Sequence, residues 1–313
     1  MYVTNQILLH KQFESFEKYC DGVLGVSALH IETGMEINFR SDLKFLMCST
    51  YKLPIAIHLL HLAEQKQINL DEFYNIKDVD LRGGFAFTLN DFDCSSGFPI
   101  SLRNLLLMML RESCNTSTDI ILRKIGGPSA VSAYLNQIGI ENMRVDRYTL
   151  EIMADSDGIK TLPSSLKCTL DQYKALSSSI TTDELASAKI AFRSDGRDHS
   201  TPLAMTKLLV KLFKHEILNI ENVTWLLNTM RRNKLYPNRL MGLLPYRTPV
   251  AHKTGTAAGY TNDVGIITLP HHYGHVAITA FIKESSKDKI PNERVLAEVS
   301  RTAYDYFLLC TRD

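Results

Sequence analysis

Met47-Cys48-Ser49-Thr50-Tyr51-Lys52-Leu53-Pro54 is the stretch on which the reading of the fold turns. On its N-terminal side the pattern is strand-like: residues 23–31 and 35–39 are apolar runs separated by Glu32-Thr33-Gly34, a hairpin signal. Ahead of them Ile7, Leu8, Phe13 and Phe16 recur at helical spacing, so an amphipathic helix over residues 5–20 opens the chain. On its C-terminal side helical patterns take over, at 49–64, 101–112, 117–125 and 128–137, with Gly126-Gly127-Pro128 ending one helix and starting the next. Helices resume at 202–213 and 221–230. Strands return only at 249–254, 263–269 and 275–282, before a last helix at 291–308.

Strands at both chain ends with helices between them predict an α+β fold. One antiparallel sheet is built from both ends and flanked by helices, and an all-helical subdomain is inserted in the middle. The expected division is 1–41 with 206–313 for the sheet and 42–205 for the helices, the two sharing a cleft. Residues 156–194 fit poorly. They are rich in Ser, Thr and Lys, lack a strong core pattern and show one helical stretch near 182–191, so they read as a surface excursion, either filler or a lid.

The composition narrows the function classes. The chain has 313 residues, 45% hydrophobic and 22% charged, enough for a substantial core. Lys plus Arg is 35 against 34 Asp plus Glu, a formal net charge of +1. That balance argues against phosphate-driven nucleic-acid binding and against a polybasic membrane surface, while leaving room for a local positive site. No apolar run approaches the roughly 18 residues that a membrane span needs. The N-terminal stretch is too polar for a signal-peptide core, so the expected location is periplasmic or secreted if a signal was trimmed, and cytoplasmic if Met1 is native. Six scattered cysteines, with no C-x-x-C, read as reduced and mostly buried thiols. His58, His252 and the His271-His272 pair have no carboxylate or cysteine at ligand spacing, so neither a metal nor a cofactor is expected.

Ser49 and Lys52 form an S-x-x-K at a helix start, which puts hydroxyl and amine on one helical face. Unpaired N–H groups at the helix N-terminus favour developing negative charge there, and a buried lysine with a lowered pKa can accept the serine proton. The motif alone is weak: five S-x-x-K matches occur, and helix capping explains any one of them. Two further motifs change the reading. Ser113-Cys114-Asn115 falls between two helices, and Lys253-Thr254-Gly255 ends a strand, where the glycine lets a ligand come close to the strand edge.

In the order S-x-x-K, S-x-N, K-T-G, the set resembles the signature of class A serine β-lactamases and penicillin-binding proteins. The likeness extends through Leu24-Gly25-Val26, Gly126-Gly127-Pro128, Thr201-Pro202-Leu203-Ala204-Met205, Asn238-Arg239-Leu240, Ala251 through Thr256 and Thr261 through Ile266, from about residue 11 to 307 apart from the 156–194 excursion. By this resemblance Ser49 is the nucleophile that forms an acyl-enzyme with a β-lactam, and Lys52 is its proton partner. Ser113 passes a proton to the leaving nitrogen, and Asn115 binds the substrate's side-chain amide. Lys253 and Thr254 hold its carboxylate beside Gly255, and the N–H groups of Ser49 and Thr256 form the oxyanion hole. Arg147 and Asp198 correspond to the ion pair closing the neck of an active-site loop. The implied partner is a small-molecule β-lactam or other acyl-amide, acted on by a monomer.

The sequence departs from the family where deacylation is concerned. The position of the family's water-activating loop glutamate falls on Thr149, and that of its asparagine partner on Met153. A threonine hydroxyl cannot act as a general base near neutral pH, and losing a positioned base costs on the order of 10²–10⁴ in rate. Glu151 is the substitute, with a solvated loop carboxylate as the plain alternative; Asp155 and Asp157 are weaker candidates. Cys114 replaces the aspartate of S-D-N. Ala257 stands where a cysteine partner for Cys48 would be, so no disulfide is expected there. Three readings follow: a serine β-lactamase with slow turnover, a β-lactam-binding regulatory protein, or a D,D-peptidase-like or other amide or ester hydrolase.

Overall fold

The computed structural model describes residues 2–84, 89, 92–163, 167–233 and 235–311; Met1 and Ser164, which begins one of the S-x-x-K matches, lie outside them. In chain order the elements are α1 (Tyr2–Cys20), β1 (Val23–His30), β2 (Glu36–Phe39), β3 (Phe45–Leu46), α2 (Lys52–Glu64), β4 (Phe73–Ile76) and β5 (Phe98–Ser101). Next come α3 (Leu102–Arg111), α4 (Asn115–Lys124), α5 (Pro128–Gln137), α6 (Thr149–Asp157), α7 (Leu170–Ser178), α8 (Thr182–Arg193) and β6 (His199–Ser200). The chain ends with α9 (Pro202–Phe213), α10 (Ile220–Arg231), β7 (Val250–Ala257), β8 (Tyr260–Thr268), β9 (His275–Lys283) and α11 (Lys289–Cys310). Two compact units result: Met1–Tyr51 with Ile138–Met143 and Asp198–Asp313, and Lys52–Gln137 with Arg144–Arg197.

The first unit is built on a five-stranded antiparallel sheet of order β2-β1-β9-β8-β7, which joins the two chain ends as the α+β reading expects. Side chains alternate across it. Leu24, Val26 and Ala28 of β1 and Ile278, Ala280 and Ile282 of β9 pack with Phe13 of α1 and Val295, Val299 and Phe307 of α11. The opposite face takes α9. There the Thr206 hydroxyl donates to Ser27 O at 3.0 Å, and a Cβ at Gly25 would lie 2.9 Å from Pro202 Cγ. Pro202 occupies the first turn of α9 and Thr201 caps it, the signals that made this helix legible. Residues 42–51 and 198–205 fall in this unit, outside the expected 1–41 and 206–313, because β3 pairs with β6 in the register Phe45↔Ser200.

The second unit is mostly helical, with a correction to its all-helical expectation: β4 and β5 form an antiparallel ribbon, Phe73↔Ser101. All nine residues from Lys52 to Leu60 are buried, so α2 is the unit's internal helix, apolar except at Lys52 and His58. The 156–194 stretch is structured where it is described. Besides α8 it holds α7, whose Thr169–Gln172 capping box fixes its start. Leu150, Ala154, Ile159, Cys168 and Tyr173 form a small core of their own. Its described residues are therefore ordered by their own packing. No described helix is long and apolar enough to cross a membrane.

Candidate active site

Ser49 lies in a 3₁₀ turn, Cys48–Tyr51, that leads directly into α2 at Lys52. Cys48, just ahead of it, sits at φ 49°, a left-handed conformation that costs a non-glycine residue about 1–3 kcal/mol and must be held by its surroundings. The surroundings are specific. Asn262 Nδ2 donates to Leu46 O at 2.8 Å and to Met47 O at 3.1 Å, and Met47 N–H donates to Asp198 O at 3.0 Å. A Cβ at Gly255 would lie 2.7 Å from Met47 O and 3.0 Å from Ser49 N, so only glycine lets β7 meet this turn. At Gly255 the close approach is made by the segment from Met47 to Ser49.

Lys253 and Thr254 are buried in β7, and the Lys253 ammonium donates to Thr254 O at 2.9 Å. Beside them is a charge to which the sequence gave no role. Arg239, fully buried, donates from Nη1 to Gly255 O and Asn262 O, both at 3.0 Å, and from Nη2 to the Thr256 hydroxyl at 2.7 Å. Glu293 faces its Nε at 3.3 Å. Arg239 and Lys253 are thus two buried cations at the K-T-G end of β7, with Glu293 and Asp263 as the neighbouring carboxylates. Burial pushes the Cys48 thiol up to about 12, against the pull of Arg239, so this neighbour of Ser49 stays protonated.

In the second unit the structure brings Lys52, Ser113 and Asn115 together. Lys52 Nζ donates to Ser113 O at 2.6 Å, Ser113 Oγ at 3.2 Å and Asn115 Oδ1 at 2.7 Å. Burial pulls its pKa down to about 8, with the neighbouring Cys114 and Asp119 working in the other direction. Ser113 is itself left-handed, φ 55°, and this turn starts α4, where Cys114 Sγ accepts the Ser117 N–H as cap. The cysteine thus does the capping that an aspartate would do. Asn115 Nδ2 donates to Gly83 O at 2.7 Å and lies 3.7 Å from Met153 Sδ.

Thr149 is buried at the start of α6, with its N–H donating to Asp119 Oδ1 at 2.6 Å and that of Leu150 to Asp119 Oδ2 at 3.2 Å. Asp119 is fully buried and paired with Arg82 at 2.9 Å. This carboxylate anchors α6 from α4, a role that spacing could not reveal. Glu151 caps its own helix: its Oε2 accepts the Tyr148 N–H at 2.9 Å in a capping box on α6. Arg147 Nη1 reaches Asp155 at 2.6 Å and Asp195 at 2.9 Å, two partners that the sequence did not assign to it, and Asp198 is buried. Among the described residues no group of three His, Cys, Asp or Glu side chains could hold a metal ion, and all six thiols are free.

Comparison with known proteins follows the motifs. The family described as the β-lactamase enzyme family matches residues 8–307. The β-lactamase VEB-1 of Pseudomonas aeruginosa is 25% identical over 305 residues, covering 95% of this chain and 89% of that protein. The crystal structure of the TLA-1 extended-spectrum β-lactamase superposes with a TM-score of 0.78 at 27% identity, covering 97% of this chain and 99% of that one. An ancestral class A β-lactamase gives a TM-score of 0.77 at 27% identity, covering 95% and 99%. The chain belongs to the β-lactamase enzyme family, and the resemblance to class A serine β-lactamases drawn from its motifs holds.

Proposed function

We propose that the protein is a serine acylase of β-lactams: it opens the lactam amide by acylation of Ser49 and releases the acyl group slowly. The observation that carries this reading is Lys52. A buried ammonium touching Ser113 Oγ and Asn115 Oδ1, with a pKa near 8, is an unfavourable feature in a core unless its free base is used. In acylation the Ser49 O–H bond breaks, its proton passes to Lys52 Nζ, and Oγ bonds the lactam carbonyl carbon. Oxyanion charge falls on the N–H groups of Ser49 and Thr256. As the carbonyl carbon–nitrogen bond breaks, the nitrogen takes the Ser113 hydroxyl proton, and Lys52 restores it along the 3.2 Å contact. Lys253 and Thr254, supported by Arg239, hold the substrate carboxylate. The names of the relatives, β-lactamases throughout, support the substrate class.

Slow release rests on what stands around α6. Thr149 has no ionisable group, Glu151 is committed to a cap, and Met153 places a thioether beside Asn115. These observations favour, as a second reading, a protein that traps the ligand and serves as a receptor for it. A chromogenic cephalosporin followed by colour and by intact mass separates the two. Continuous colour abolished in Ser49→Ala supports turnover, a stoichiometric burst with a lasting adduct supports trapping, and neither with any β-lactam overturns both.

A further inference from the structure

The Arg144–Arg197 stretch holds a cavity of about 670 Å³ that includes none of the motif residues. It is formed by the C-terminal end of α6, the residues after it, α8 and the segment that follows α8. Small-molecule sites have volumes of roughly 300–1,000 Å³, with an apolar lining and a few convergent polar groups. Ile159, Ala188, Ala191 and Phe192 supply the apolar wall. Small residues set its shape: a Cβ at Gly158 would come within 3.2 Å of Ala188 Cβ, so α8 lies directly against the end of α6.

The charged groups are unevenly balanced. Asp155 and Asp195 line the cavity, and their Oδ2 atoms are both shared by Arg147 Nη1, at 2.6 and 2.9 Å, and Arg197 Nη2, at 2.8 and 2.7 Å. Two arginines therefore neutralise two aspartates in a rigid knot. Lys160, Asp183 and Glu184 complete the charged lining and leave one surplus negative charge. Glu184 accepts the Thr181 N–H at 3.0 Å as the cap of α8, so Asp183 carries the surplus at the rim.

We propose that this cavity is a binding site for a small amphiphilic cation, an aromatic or branched apolar body bearing one amine or amidinium. The body lies on the Ile159–Phe192 wall and the cation faces Asp183. Such a ligand bridges α6 and α8 and holds the inserted helices as one piece. The site is independent of the acylation chemistry and stands or falls separately from it.

The test is an NMR titration of amide shifts in the full chain, with benzamidine as probe and benzoate as its size-matched anion. Saturable shifts confined to residues 155–197 are expected, with benzamidine about threefold tighter, the worth of one rim charge. Two exposed substitutions extend the test, and unchanged amide shifts elsewhere report that each variant folds. Ser187→Phe fills the cavity and abolishes the shifts, and Asp183→Lys reverses the preference towards benzoate. Equal binding of the two probes, shifts that survive Ser187→Phe, or no saturable shift up to millimolar benzamidine overturns the proposal.

Discussion

If Lys52 accepts the Ser49 proton, the rate of acylation must follow the fraction of Lys52 that is uncharged. Burial places its pKa at about 8, so the group is a cation at low pH and gains its lone pair as pH rises. From that value the free-base fraction is ~1% at pH 6, ~9% at pH 7 and ~50% at pH 8, a rise of about 50-fold across two pH units. Above pH 9 the gain flattens, since less than a twofold increase remains. The assay is stopped-flow or quenched-flow measurement of adduct formation with a β-lactam at concentrations well below saturation, from pH 6 to 9. Over this range the substrate carboxylate stays ionised, so the limb belongs to the protein. Lys52→Arg keeps the charge and removes the limb together with the activity, because a guanidinium does not deprotonate here. A flat profile between pH 6 and 8, or a limb that survives Lys52→Arg, refutes the role given to this residue.

Further outcomes follow from the same contacts. Lys52→Met relieves a buried ammonium that burial holds at about 8 in place of 10.5, on the order of 3 kcal/mol at pH 7. Part of that is offset by the polar groups it leaves unpaired, so the inactive variant is more stable by about 1–2 kcal/mol in urea titration. The wild-type protein should gain stability as pH rises from 8 towards 10.5, where the unfolded chain still binds the proton that folded Lys52 has lost. Asp119→Ala strands the buried Arg82 and frees the start of α6, at a cost of about 3–5 kcal/mol by chemical denaturation. Gly255→Val drives a side chain against Met47 O and Ser49 N and displaces the turn that carries Ser49, lowering the acylation rate by about 10²-fold. Thr149→Glu with Met153→Asn shortens the adduct lifetime, read by intact mass; an unchanged lifetime places the block elsewhere.

What the sequence disclosed, and what it hid, divides by the range of the interactions. The start of α5 at Pro128 and of α9 at Pro202 is announced by local backbone chemistry, and both fall on the expected residues. The strands β7 and β8 run longer than their apolar runs, because Thr256 pairs with Thr261 and Ala257 with Tyr260 in a register that composition cannot show. β3 and β6 have two residues each and owe their existence to one another across the chain. The same holds for chemistry. Ser49, Lys52, Ser113 and Lys253 are legible because their types and order form a motif. Arg239, Asn262, Asp119 and Arg82 look like ordinary polar residues until burial makes each of their hydrogen bonds matter. Glu151, two residues past Thr149, also caps the N-terminus of its own helix, a contact that the spacing alone did not single out.

Acylation at Ser49 is the central claim, and peptide mapping after a brief β-lactam exposure tests it most directly. The account predicts a single adduct, one ligand per chain, on the peptide containing Ser49, and none in Ser49→Ala. An adduct on any other residue, or one that persists in Ser49→Ala, contradicts it.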